Sequence, residues 1–300
     1  MIDKMNALEK CLKMLLPFTA VASISSTSNA QMPDDPSYIG DVDPAARLGV
    51  LGVNVGLNGL ICGIVAAVEE RREIFKDIGQ CMGGGMMQYA GMEIGMNNIP
   101  VLPGIGLRAV ETGTSIIDNT LAGREMFEHL YYEFGPALFK IDTKNKGFDF
   151  YWRVAPVIGL LYNYTENNEF NWLDSFSYQT FVFNSHAPVT PAEPQTGLAI
   201  GNIMMYNTKY PGTKAHEFNH VLQYARFRPA QLLVPEKLSI LEDTFHYRLG
   251  EDAVSLMFWG VEEIGCIAAG NQYCSRRWWN LLEAESYTME TAYGQGRDQP

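Results

Sequence analysis

The sequence predicts an α+β fold, with a glycine-rich helical part followed by strands and further helices. Hydrophobic residues make up 47% of the 300 residues, which is enough to build a core. Residues 45 to about 122 are rich in Gly, Met and small apolar side chains, whereas aromatic and β-branched runs bounded by turn residues begin near 137. We therefore expect a helical region over 45–135 and a strand-and-helix region over 136–300.

The N-terminus has the pattern of a secretory signal peptide. Three lysines precede an apolar run at 14–22, and small polar residues follow up to Ala30. This order predicts a signal peptide over 1–30, cleavage before Gln31, and a secreted or periplasmic protein. Residues 31–44, rich in Pro and Asp, would form an exposed leader. A short N-terminal core helix is the alternative.

Glycines spaced four residues apart dominate the helical region. On a helix this spacing forms a flat groove that allows a neighbouring helix to approach closely. The pairs are Gly52 and Gly56, Gly59 and Gly63, Gly79 and Gly83, and Gly91 and Gly95. We expect a first helix from Asp43–Pro44 to about 69–72, a second that ends before Pro100, and a third over about 105–130.

The stretch from Leu48 to Ala67 carries no charge and is long enough to span a bilayer. It contains Asn54, Asn58 and several glycines, and the next helix carries Glu93, which a lipid-facing helix rarely does. We therefore favour a tightly packed helical hairpin. Contact with a membrane through residues 48–100 is the alternative.

The second region reads as four strands and three helices. Strand signals are aromatic or β-branched runs, and helices show apolar residues at a spacing of three to four. The predicted strands are 137–142, 148–154, 178–183 and 198–206, and the predicted helices are 213–227, about 252–269 and about 275–292.

Charge and cysteine content exclude two classes of function. Lys and Arg total 22 against 34 Asp and Glu, for a net charge of −12, so the phosphate backbone of a nucleic acid would be repelled. No two of the five cysteines have CxxC spacing, which excludes a cysteine-built zinc site. Local disulfide possibilities are Cys62 with Cys81 and Cys266 with Cys274.

One motif carries chemistry. His216-Glu217-Phe218-Asn219-His220 is an HExxH sequence. Residues four apart share one face of a helix, so both imidazoles can bind one Zn²⁺ ion. Glu217 would remove a proton from a zinc-bound water, while zinc polarises the scissile carbonyl.

The surroundings of the motif support this interpretation. A strand over 201–207 precedes it, and Gly212-Thr213 offers a helix N-cap. The opposite face of the motif helix presents an apolar stripe for docking onto the sheet. Its members are Phe218, Val221, Leu222 and Ala225.

Residues 216–223, His-Glu-Phe-Asn-His-Val-Leu-Gln, resemble the HExxHxxQ helix of secreted zincin metallopeptidases of the gluzincin type. The segment 280–286, Asn-Leu-Leu-Glu-Ala-Glu-Ser, is similar to their N-x-x-E-x-E-A segment, although Ser286 replaces Ala. The resemblance covers about 198–292. It implies a zincin-like mixed sheet with helices, and a third zinc ligand at Glu283.

A helical wheel of 278–293 gives a different third ligand, because it places Glu285 on the apolar face, where a carboxylate needs a partner. We follow the resemblance and expect His216, His220 and Glu283 to bind Zn²⁺. Zincins also supply a His or Tyr to the developing oxyanion, and His246 and Tyr287 are both open for that role.

We therefore expect a zinc-dependent peptidase that acts on a peptide or protein, with Glu217 as general base. The substrate backbone would pair with an edge strand near 201–206. The alternative is a non-catalytic, metal-stabilised envelope protein whose glycine-rich helices bind a partner or a membrane.

Overall fold

The computed structural model describes residues 44–97, 99–186, 197–226 and 247–248. The predicted signal peptide, most of the leader, the cysteines 266 and 274, the helices predicted after 250 and the glutamates 283 and 285 lie outside the described residues. The elements in chain order are α1 Pro44–Val68, α2 Ile74–Gly95, α3 Leu102–Leu121, β1 His129–Phe134, β2 Ala137–Asp142, β3 Gly147–Arg153, α4 Val154–Thr165, β4 Glu169–Phe170, α5 Trp172–Tyr178, β5 Phe181–Ser185, β6 Gly197–Ala199, β7 Ile203–Asn207, α6 Thr213–Arg226 and β8 Tyr247–Arg248.

These elements form an α+β fold, as the sequence predicts, with two small sheets. The first sheet has the order β1-β2-β3-β8, with β1, β2 and β3 antiparallel and β8 parallel to β3. The second has the order β4-β5-β7-β6 and is mixed, because β5 and β7 run parallel while β4 and β6 are antiparallel to their neighbours.

Close contact between α2 and α3 depends on glycine in both helices. A Cβ on Gly106 would lie 2.5 Å from the Gly91 carbonyl oxygen and closer still to the backbone of Gly95. A Cβ on Gly113 would lie 2.5 Å from the Gly84 carbonyl oxygen. Such distances are shorter than any real Cβ contact, so the backbones of the two helices touch directly. The predicted packing role is confirmed for Gly91 and Gly95, whereas Gly84, Gly106 and Gly113 are not among the predicted pairs.

The other predicted glycine pairs differ in their use. Gly59 and Gly63 of α1 receive the side chains of Met82 and Ile78 from α2, as a groove should. Among the described residues, no atom lies within 4 Å of where a Cβ would stand on Gly79, Gly83 or Gly52. Gly52, Gly79 and Gly83 therefore take no part in the packing between the described helices.

A disulfide between Cys62 and Cys81 links α1 to α2. It is one of the two local pairings that the sequence allows. Both cysteines are buried, beside Ile117 and Leu121 of α3, so the bridge lies where the three helices meet.

The third helix is shorter than predicted. It ends at Leu121 rather than near 130, and Gly123 follows in the left-handed conformation with a φ of 68°. The Arg71 guanidinium donates to the carbonyl oxygens of Thr120, at 2.5 Å, and Leu121, at 2.6 Å. Where a helix ends, its last carbonyl groups lose the amide donors that a following turn would supply. The Arg71 guanidinium supplies donors to two of them. Residues 129–134, which the sequence analysis assigned to the helical region, form β1 instead.

Two of the predicted strands have different bounds. The run 178–183 begins with the last residue of α5, and β5 starts only at Phe181, after Gln179 in the left-handed conformation (φ 51°). The run 198–206 is a hairpin of β6 and β7 rather than one strand. Gly201, with a φ of 57°, makes the turn. The strands predicted near β2 and β3 and the helix predicted at 213–227 are confirmed.

A polar network joins α3 to both sheets. The Arg108 side chain donates to the carbonyl oxygens of Glu133 in β1, at 2.7 Å, and of Gln179 before β5, at 2.8 Å. The fully buried Glu111 carboxylate accepts from Arg108 and from the Glu133 amide at 2.8 Å. A buried carboxylate with these donors is compensated, so the network fixes the position of α3 against the strands.

The main core lies between the glycine-rich helices, the second sheet and α6. It contains Met92 from α2, Met96 directly after that helix, and Leu107 and Val110 from α3, together with apolar residues of β5, β6, β7 and α6. The helix that carries the HExxH motif therefore packs against both the strands and the helical region. Among the helices that the structure describes, none is long and apolar enough to cross a membrane.

Candidate metal centre

The motif lies on α6, which follows β7 after a short turn. The predicted apolar stripe is confirmed, because Phe218, Val221, Leu222 and Ala225 are all buried in the main core. A Cβ on Gly95 of α2 would come within 2.9 Å of Leu222, so this glycine lets α6 seat closely against the helical hairpin. The packing of this face fixes the rotation of α6.

The two histidines of the motif converge. The rings of His216 and His220 are 4.8 Å apart and nearly perpendicular, at 83°. Their Nε2 atoms lie 3.2 Å from each other. Two Zn–N bonds of about 2.0–2.1 Å at a tetrahedral angle hold their nitrogens roughly 3.3–3.4 Å apart. The spacing of the two donors therefore fits a single zinc ion, as the i and i+4 positions predict.

Glu217 is 6% exposed and lies against β6. A Cβ on Gly197 would stand 2.6 Å from Cγ2 of Thr213 and closer still to the Glu217 carboxylate. The carboxylate thus occupies space that is open because residue 197 has no side chain. The sequence gives no sign of this contact, since the two residues come from separate elements.

Gln223 contacts His220, one of the two histidines of the motif. The Gln223 side chain is 1% exposed, and its Oε1 atom lies 2.8 Å from Nδ1 of His220. The motif helix therefore carries a further side chain that contacts one of the two histidines. Its position is visible in the sequence as the last residue of the 216–223 segment, but its contact is not.

A cluster that the sequence does not reveal anchors the first turn of α6. Lys214 Nζ lies 3.4 Å from both carboxylate oxygens of Asp174 in α5, and the Tyr206 hydroxyl of β7 donates to Asp174 at 2.8 Å. Burial, together with the hydrogen bond and the negative charge of Asp174, raises the pKa of Tyr206 above its usual value. Asp174 is 32 residues from Tyr206 and 40 from Lys214, so no local sequence signal could reveal the cluster.

Gly212-Thr213 is predicted to cap the helix, but Thr213 does not act as its N-cap. This residue is the first of the helix, and its buried Oγ1 atom has no hydrogen-bond partner in the described part of the chain. Its methyl group instead lies under Gly197.

The strand beside the motif also differs from the expectation. β7 pairs with β5 on one side and β6 on the other, so it is not an edge strand. Among the described strands, β6 is the one at this edge of the sheet. The expectation of an edge strand near 201–206 is therefore wrong for β7, and Gly197–Ala199 forms the edge among the described strands. The pairing of a substrate with this sheet stays a prediction.

The remaining predicted site residues are not among those that the structure describes. Glu283, its alternative Glu285, His246 and Tyr287 lie outside the described residues. In the described ranges, no three His, Cys, Asp or Glu side chains form a group that could hold a metal ion. The other two described histidines lie beside carboxylates, with His129 3.5 Å from Asp142 and His186 3.3 Å from Glu169.

Comparison with protein-family models, with curated proteins and with solved structures finds no match to this chain.

Proposed function

We propose that the protein is a zinc-dependent peptidase of the zincin type, with His216 and His220 as two metal ligands and Glu217 as the general base. The observation that carries this proposal is the approach of the two Nε2 atoms to 3.2 Å on the helix that also bears Glu217. When bound there, Zn²⁺ would polarise a carbonyl and make a water molecule more acidic.

The two histidines and Glu217 would have different roles in the reaction. His216 and His220 would hold the ion through Nε2, and the resemblance supplies Glu283 as the third ligand. The Glu217 carboxylate would accept a proton from the attacking water and deliver it to the nitrogen of the leaving amine. Because Glu217 is buried against β6, it would meet its substrate beside that strand.

The β6 edge supports a peptide as the substrate. The Ile200 amide donates to the Ile203 carbonyl at 2.9 Å, which closes the hairpin as a hydrogen-bonded pair. In an antiparallel ladder the pairs alternate, so Gly197 and Ala199 direct their backbone groups away from β7. An extended peptide could add to this edge if it displaced the Tyr224 hydroxyl, which lies 3.5 Å from the Ala199 carbonyl oxygen, and side-chain contacts would give specificity.

An exported location is part of the proposal. The disulfide between Cys62 and Cys81 supports it, since disulfides persist in oxidising compartments such as the periplasm and the extracellular space. The predicted signal peptide supports it independently.

Replacement of Glu217 by Gln tests the mechanism. The amide cannot accept the proton, so we expect hydrolysis of a mixture of unstructured peptides to fall to background, while the zinc content of the protein stays near one ion per chain. Glu166→Gln, at an exposed position after α4, is the matched control and should leave both unchanged. Activity retained in the zinc-loaded Glu217→Gln protein would refute the mechanism. Tightly held zinc with no turnover in the wild-type protein would favour the non-catalytic alternative.

Two alanine variants decide which of two candidates, Glu283 or Glu285, is the third ligand. We expect Glu283→Ala to weaken zinc binding as severely as His216→Ala, because an open catalytic zinc site has three protein ligands. Glu285→Ala should mainly lower stability. The measurements are zinc titration and thermal unfolding of each variant. The reverse pattern would make Glu285 the ligand and would show that the resemblance misplaces it by two residues.

A further inference from the structure

The Nδ1 atom of His220, the ring nitrogen that would not bind the metal, has a defined partner. This atom lies 2.8 Å from Oε1 of Gln223, which stands one helical turn further along α6 and is 1% exposed. An amide oxygen can only accept a hydrogen bond. A neutral His220 in this contact therefore carries its proton on Nδ1 and has a lone pair on Nε2.

We propose that Gln223 is a positioning residue that fixes the tautomer of His220 and thereby presents its Nε2 lone pair to a divalent metal ion. This inference rests on the proposed function. A metal ligand must offer a lone pair, and the hydrogen bond at the other ring nitrogen selects which nitrogen does so. The buried amide also restricts rotation of the ring, which aims Nε2 at its neighbour.

The same contact determines the proton on His216 when no metal is bound. The Nε2 atoms of the two rings are 3.2 Å apart, and a hydrogen bond between them needs one donor and one acceptor. Because Gln223 makes His220 Nε2 the acceptor, His216 must donate from Nε2. His220 is then ready for the metal before it arrives, whereas His216 must move its proton to Nδ1. The two ligands are therefore not equivalent.

The test combines a tautomer measurement with zinc titration. In the metal-free, full-length protein at a pH where both rings are neutral, long-range ¹H–¹⁵N spectra of the imidazoles report which nitrogen is protonated. We expect the Nδ1–H form for His220 and the Nε2–H form for His216. Gln223→Leu, which removes the acceptor at similar size, should lose the preference at His220 and weaken zinc binding by about 10–100-fold.

Two further variants separate positioning from stability. Gln223→Glu keeps an acceptor at the same place, so it should restore the Nδ1–H form and most of the zinc affinity. Gln88→Leu is the control for loss of a buried glutamine, because Gln88 is 2% exposed and bonds to Thr114 and Asn58 in the helical region. It should lower stability without changing the spectrum of His220 or zinc affinity.

The outcomes distinguish this inference from the proposed function. An Nε2–H tautomer at His220 in the wild-type protein, or equal zinc affinity in Gln223→Leu, would overturn the role of Gln223 while leaving the metal site intact. Failure of the wild-type protein to bind zinc would refute the metal site itself. If Gln223→Leu does not fold, the wild-type tautomer and the Gln223→Glu variant still decide the question.

Discussion

The Glu217 carboxylate occupies a space that exists because residue 197 has no side chain. Glycine at this point lets β6 pass directly over the first turn of α6, where Thr213 and Glu217 share one face four residues apart. The base of the proposed reaction is therefore held between a helix and a strand rather than exposed on the helix surface. Its position depends on a residue that has no chemistry of its own.

Gly197→Ala should impair catalysis without removing zinc. The new methyl group would stand 2.6 Å from Thr213 Cγ2 and closer still to the carboxylate, so Glu217 has to move. A displacement of about 1 Å in a catalytic group costs on the order of 100-fold in rate. We expect a kcat/KM about 100-fold lower than wild type, with an unchanged zinc content, measured by peptide hydrolysis and metal analysis.

Gly147→Ala is the control for this prediction. Among the described residues, a Cβ there would meet Asp142 Cβ alone, at 3.4 Å, in the β2–β3 hairpin. This variant should have wild-type activity. Unimpaired hydrolysis in Gly197→Ala would show that Glu217 does not need its present position.

At the scale of single residues, the sequence predicts the two metal-binding histidines but not the tertiary contacts that hold the site. The spacing of His216 and His220 is enough to bring their rings together, because four residues span about one helical turn. The contacts of Glu217 with Gly197 and of Lys214 with Asp174 join residues 20 and 40 positions apart, so they arise only from tertiary packing. Gln223 lies only three residues after His220, so the sequence does show that the two side chains can be neighbours. The orientation of the Gln223 side chain nevertheless depends on the burial of α6.

The α2–α3 pair shows how small residues set the position of a whole element. Gly84, Gly91 and Gly95 recur on one side of α2 and meet Gly106 and Gly113 of α3. Gly79 and Gly83 lie roughly 100–140° around the same helix from that side, since each residue turns it by about 100°. Spacing by four therefore identifies a groove, but it does not say whether a neighbour fills it.

This difference predicts opposite effects of the same substitution. Gly106→Ala should destabilise the protein by about 2 kcal/mol, because overpacking at a backbone contact outweighs the higher helix propensity of alanine. Gly79→Ala, exposed and without a neighbour within 4 Å, should stabilise it by about 0.5–1 kcal/mol. Chemical denaturation of both variants checks the pair. Equal effects at the two positions would contradict the packing that the structure shows.

The sequence predicts the end of α3 about nine residues too late for a similar reason. Helical periodicity continues past Leu121, but the Arg71 guanidinium, which comes from the turn after α1, binds the last carbonyls of α3. A long-range cap of this kind leaves no pattern near the helix it ends. The hairpin of β6 and β7 could have been predicted, because Gly201 lies within the run that was read as one strand.

At the scale of the whole molecule, the α+β class follows from composition and periodicity, and it is confirmed. The sequence also divides the chain at residue 135 into a helical region and a metallopeptidase region, and that division stays a prediction. The main core joins the two, since Met92 and Leu107 from the first region pack with Phe218 and Leu222 of the motif helix. The proposed metal centre therefore depends on the helical region for its support.

From this shared core we expect the helical hairpin and the motif helix to unfold together. Loss of α2 and α3 would expose Phe218 and Leu222, each fully buried, at a cost of about 1.5–3 kcal/mol per side chain. Few isolated helices retain structure against such a loss. Hydrogen exchange at increasing denaturant should show the amides of α2, α3 and α6 losing protection at one concentration, and Gly106→Ala should shift all three equally. If α6 instead opened at a lower denaturant concentration and did not respond to Gly106→Ala, the two regions would be independent in stability, and the core contacts with α2 and α3 would not be what holds the motif helix.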